Sequence, residues 1–133
     1  MLPAAVKPTP EDLQLALPPI LSLIHKSEKV LEKLAPETWQ AAMLRENLDA
    51  LRLACALMGG EDPDPTHESY QNALRPLASM IERTRAAQPK FPPGSSQHTL
   101  LQNRLGALLV AEDLIRSMPK VGALPPGSQD SGP

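Results

Sequence analysis

The chain is predicted to fold as an all-α four-helix bundle made of two tandem helical hairpins. Three observations carry this. The sequence matches itself without gaps at an offset of 57 residues. Its apolar residues recur in steps of three and four. Its core-forming residues are aliphatic, with 41% of the chain hydrophobic and only 2% aromatic, a balance that suits helices better than sheets.

The self-match comes first, because a repeat organises everything else. The segment Pro8 to Ile24 lies over Pro65 to Ile81, and nine of those 17 positions are identical. The same offset lays Gln40 to Met58 over Gln97 to Ile115 with seven identities in 19, among them Leu44/Leu101, Leu48/Leu105, Leu51/Leu108 and Leu57/Leu114. Two Leu- and Ala-rich helices can resemble one another by composition, but the first match at the same offset argues for a copied unit.

Each copy reads as helix, short connection, helix. Thr9 is placed to cap the first helix, with Pro10 at the first helical position and Glu11 and Asp12 beside the positive end of the dipole. Thr66, Glu68 and Ser69 repeat that arrangement. The first helix is expected to run to about Leu34 and its counterpart to about Gln88. Pro36 is expected to open the second helix, which stops at Gly59-Gly60. Pro89 and Pro92-Pro93-Gly94 break the third helix from the fourth, Ser95 or Ser96 caps, and the fourth runs to about Met118.

The spacing supports these spans. Leu13, Leu17, Ile20, Ile24, Leu31 and Leu34 form one seam, and Ala41, Leu44, Leu48, Leu51, Cys55 and Met58 another. Tyr70, Leu74, Leu77 and Ile81 follow, then Leu101, Leu105, Leu108 and Ile115, interrupted by Glu112. Such seams suit bundle packing near 20°. Pro19 and Pro76 fall at one equivalent place inside the first helix of each copy, with Pro18 added in the first. An interior proline removes a hydrogen bond and strains the preceding turn, so a kink or a restart is expected there.

The boundaries that follow are a flexible N-terminus at 1–8, a bundle at 9–118 with hairpins at 9–60 and 66–118, and a disordered Pro-, Gly- and Ser-rich tail at 119–133. Gly60 to Pro65 makes an acidic connection between the hairpins. The N-terminus lacks the basic and apolar regions of a secretory signal, and no window reaches the ~20 apolar residues of a bilayer span. The chain is expected to be soluble.

Thirteen basic residues against 15 acidic give a net charge of −2. That supplies no long-range field to steer nucleic acid or anionic membrane. Cys55 is the one cysteine, which fits a reducing compartment, cytosol or nucleus. On a helix seam it reads as a small buried residue with an inert thiol.

The chemistry of catalysis is sparse. His25, His67 and His98 are far apart, and none has HExxH or CxxC spacing. No cofactor, metal site or catalytic centre is expected. Glu112 replaces Cys55 in the second copy and is expected at the bundle edge, paired with Arg104 or, better placed at i+4, with Arg116. Gly94-Ser95-Ser96 before a helix can cap it or hold an anion. Lys26, Lys29 and Lys33, and Arg83 and Arg85, collect at two helix ends, where cations complement the dipole.

A second apolar stripe lies beside each seam: Met43, Ala50, Ala54 and Leu57 on helix two, Leu100, Ala107, Ala111 and Leu114 on helix four. It is expected to pair these two helices at the centre of the bundle. On the polar face, Arg45, Asp49 and Arg52 of one copy correspond to Gln102, Gly106 and Leu109 of the other. Arg45, Asp49, Arg52 and Leu109 are therefore the candidate partner-binding residues, Leu109 as an outward leucine beside a glycine. The function expected is a non-catalytic protein-interaction module that docks a partner or self-associates. The alternative is a nucleic-acid- or phosphate-binding regulator using the basic helix ends.

Overall fold

A computed structural model of the protein describes residues 8–61 and 67–118. The flexible N-terminus, the start of the third helix's cap and the 119–133 tail expected from the sequence lie outside them. Four helices account for the described fold: α1 (Pro10–Glu32), α2 (Trp39–Met58), α3 (His67–Ala87) and α4 (Ser96–Arg116), with a short 3-10 turn at Gln88–Lys90.

Each start has a local cause. Thr9 Oγ1 accepts from the Asp12 N–H (3.1 Å), and the Thr9 N–H donates to Asp12 Oδ2 (3.0 Å). This reciprocal box satisfies two donors of the first turn. Thr38 caps α2 by accepting from the Ala41 N–H at 3.2 Å, and Ser95 caps α4 by accepting from the His98 N–H at 3.2 Å. The second helix thus begins after Thr38 and not at Pro36, because a side-chain acceptor satisfies an orphan N–H that proline leaves open.

The stops are equally local. At the end of α1 the Lys33 N–H reaches Val30 O (3.0 Å) and the Leu34 N–H reaches Leu31 O (3.1 Å). Those tightened bonds end the α-helix at Glu32, two residues before Leu34. Gly60 takes a φ of 82°, the left-handed geometry that lets the Glu61 N–H reach Ala56 O (2.9 Å) and its own N–H reach Leu57 O (3.1 Å). This is a Schellman stop. Pro93 and Gly94, with Gly94 at φ 88°, turn the chain into α4 under a Ser95 N–H to Pro92 O bond of 3.0 Å.

Neither α1 nor α3 restarts at its interior proline. Helix α1 runs through Pro18 and Pro19, and α3 through Pro76, each as one element. Packing along both sides holds the helix together across the lost hydrogen bonds, whose cost is spread over more than twenty residues.

Helices α1 and α3 each pack on both α2 and α4, α2 and α4 meet across the middle, and α1 and α3 do not touch. Helices α2 and α4 are therefore the inner pair, though Leu100 of the second stripe does not take part, being 45% exposed on the α1–α4 side. Ala50, Ala54, Ala107 and Ala111 are all buried, and their small side chains let the two backbones approach. Residues 57 apart often share an environment: Ile20 and Leu77 are both sealed, as are Leu51 and Leu108, and Ile24 and Ile81. Leu48 is sealed while Leu105 is only half-buried. No described helix is long and apolar enough to cross a membrane.

Candidate functional site

Because α1 and α3 stand apart, the bundle leaves two long grooves on its flanks. One runs between α1 and α4, a cavity of about 830 Å³ lined by Leu15, Pro18, Pro19, Leu100, Gly106 and Val110 among others. The other, about 930 Å³, runs between α2 and α3 and is lined by Glu46, Asp49, Asn72, Arg75 and Pro76 among others. They occupy equivalent places at the 57-residue offset, yet their chemistry differs. Asn72 stands where the first has Leu15, Arg75 where it has Pro18, Glu46 where it has Asn103, and Asp49 where it has Gly106.

The α1–α4 groove is thus the apolar one. Leu15 is 71% exposed and Leu100 45% exposed, although both sit on helices with ample polar surface. No atom lies within 4 Å of the place where a Cβ on Gly106 would stand. Another backbone can therefore approach α4 closely at that point.

The residues singled out from the sequence divide. Arg45, Asp49 and Arg52 do come together, with Glu28, Glu32 and Leu31, around a cleft of about 500 Å³ between α1 and α2. Two of them are engaged by the protein itself. Arg52 Nη2 donates to Glu28 Oε2 at 2.6 Å, and Arg45 Nη2 donates to the Pro36 carbonyl at 3.0 Å. Asp49 borders both this cleft and the α2–α3 groove. Leu109 does not join them and is not an outward leucine. It is half-buried and packs on the core, because the position after Leu108 lies on the flank of the seam and not opposite it.

Glu112 pairs with Arg116 at 3.6 Å, on one helix face as the spacing implied. Burial raises the neighbouring Asp113 carboxyl above the usual range, with Arg116 opposing the shift. Burial, and then the charge of Glu61, push the half-buried Cys55 thiol up, which disfavours the nucleophilic thiolate. The Ser95 hydroxyl is used as a helix cap. His25 is exposed and His98 half-buried. Among the described residues no three His, Cys, Asp or Glu side chains gather to hold a metal ion.

A third feature escaped the sequence reading. At the end of the bundle where α1 and α3 finish and α2 and α4 begin, a cavity of about 290 Å³ opens. Its lining includes Leu23 and Met80, Lys26 and Arg83, Ser27 and Thr84, Val30 and Ala87, Leu44 and Leu101, and Asn47 and Arg104. Each of these pairs is separated by 57 residues, so residues aligned by the sequence offset line the cavity from both halves of the chain. Asn47 is only 6% exposed. Arg104 Nε is buried with no hydrogen-bond partner among the described residues. Arg83 Nη1 approaches Met43 Sδ at 3.6 Å. Of the cations at the helix ends, Lys26 and Arg83 reach this cavity, whereas Lys29, Lys33 and Arg85 do not line it. The available signal was positional: 47 and 104 are three residues beyond Leu44 and Leu101 on the seam, and both are polar.

Comparison with protein-family models, with curated proteins and with solved structures finds no match.

Proposed function

We propose that the chain is a non-catalytic protein-interaction module whose α1–α4 groove receives an apolar segment of a partner, most simply one face of a helix. The observation that carries this reading is the contrast between two like-built grooves. Packing of the bundle places the same demands on both, so the apolar lining of one is not needed for the fold. Exposed leucines are common one at a time. Here Leu15 and Leu100 flank a single groove with Gly106 at its floor, the arrangement of a helix-in-groove contact. Covering each leucine contributes on the order of 1.5–3 kcal/mol to association.

A reading as a nucleic-acid surface has less support. Glu28 and Glu32 are interleaved among the lysines of the helix end, and the chain is only 2% aromatic, which leaves few side chains for bases to stack on. A reducing compartment, cytosol or nucleus, suits the single free Cys55.

Position-resolved cross-linking in cells tests the proposal. A photoreactive residue at position 15 is expected to give discrete protein adducts, and one at the equivalent position 72 none. Adducts of equal yield from both positions, or from neither, would overturn it. Sedimentation over a range of concentrations shows whether the occupant is a second copy.

A further inference from the structure

The cavity lined by Asn47 and Arg104 is a separate site, sharing only Arg104 with the α1–α4 groove. We propose that it binds a small amphiphilic carboxylate, a single carboxylate head on a short aliphatic body. Three observations define the ligand. Lys26, Arg83 and Arg104 line the cavity and no Asp or Glu does, so the space carries uncompensated positive charge. Asn47, only 6% exposed, lines the cavity as a buried polar residue of α2. Arg104 Nε is buried and unpartnered among the described residues.

A buried donor left without an acceptor is costly, and native proteins seldom keep one without a use. A carboxylate answers Arg104 Nε, with the Asn47 amide as a second donor on the cavity wall and Lys26 and Arg83 supplying charge at the rim. Apart from Ser27 and Thr84 the remaining walls are apolar, Leu23, Leu44, Met80, Leu101 and Leu108 among them, and they suit an alkyl body rather than a bare phosphate with oxygens on every side. The volume of about 290 Å³ lies at the small end of ligand cavities, which begin near ~300 Å³, so the body is short.

The test is a ¹⁵N-resolved NMR titration of the full chain with octanoate, with octan-1-ol and inorganic phosphate run in parallel. Octanoate is expected to move the Asn47 side-chain NH₂ and Arg104 Nε–H resonances to saturation. Octan-1-ol is expected to bind about tenfold more weakly or worse, since it lacks the charge-assisted bonds, and phosphate is expected to leave both resonances in place. Arg104→Met, which keeps the apolar stem, is expected to weaken octanoate by about tenfold or more. Asn47→Asp, which sets a like charge against the head group, gives the same loss should the first variant fold poorly. Unmoved resonances, equal binding of octan-1-ol, saturable phosphate binding, or unchanged affinity in a folded variant would each overturn the assignment.

Discussion

Arg52 on α2 bridges to Glu28 on α1 at 2.6 Å, whereas the residues 57 positions later, Leu109 and Arg85, cannot form that bond. The ion pair roofs the cleft in which Leu48 lies, and Leu48 is sealed where Leu105 is not. The side chains of the pair are 54% and 39% exposed, so its contribution is small. Arg52→Leu, which installs the residue of the second hairpin, is expected to change stability by no more than ~1 kcal/mol. Urea unfolding at low and high salt measures this, and the difference from the parent shrinks as salt rises.

Gly106 lies inside α4 with no atom near its absent Cβ. Gly106→Ala is therefore expected to stabilise the chain by about 0.5–1 kcal/mol, through helix propensity alone. A lowered urea midpoint would show that α4 needs the glycine for its own packing and not for an approaching partner.

Leu51 and Leu108 are 0% and 1% exposed at equivalent places on the inner helices. Truncation of either to alanine is expected to cost about 2–5 kcal/mol, by similar amounts for the two. Leu105→Ala is expected to cost less than Leu48→Ala, because Leu105 is half-buried. Equilibrium unfolding of the four variants decides both comparisons.

Asp113 gives a pH dependence with a definite sign. Desolvation raises its carboxyl above the ordinary 3.8, and Arg116 only partly opposes this. Its place in the last turn of α4, near the negative end of the helix dipole, acts in the same direction as desolvation. The folded chain therefore holds this proton more tightly than the unfolded chain, and stability falls as pH rises from 3.8 through the folded value. Asp113→Asn is expected to abolish that loss, gaining on the parent as pH rises from the acid side to neutrality. Unfolding midpoints measured at acid and neutral pH check it.

Much of the fold was legible because helix boundaries and seams are local. Thr9 and Ser95 advertise caps, Gly60 a stop, and Ala50, Ala54, Ala107 and Ala111 an inner pair. Pro36 reads as the start of the second helix because proline is a strong start signal, whereas Thr38 reveals itself as the cap only through its bond from the Ala41 N–H. The continuation of α1 through Pro18 and Pro19 as one element depends on tertiary packing, which overrides local preference. The grooves and the cavity at the bundle end were not legible for a related reason. Periodicity says which face of one helix is apolar, but Asn47 and Arg104 line one cavity, and Leu15 and Leu100 one groove, only through the way four helices pack together. Leu109 is half-buried and not outward on the same ground, since being next to the seam puts it against the core.

The sharpest trial exchanges the chemistry of the two flanks. Leu15→Asn, Pro18→Arg and Gly106→Asp together give the α1–α4 groove three of the four residues that set its twin apart. The helical content of this triple variant is expected to match the parent, because the twin groove already tolerates those side chains, while cross-linking of partner protein from position 100 is lost. Retention of the same adducts at undiminished yield by a folded triple variant would contradict the claim that the apolar lining of this groove is there for a partner.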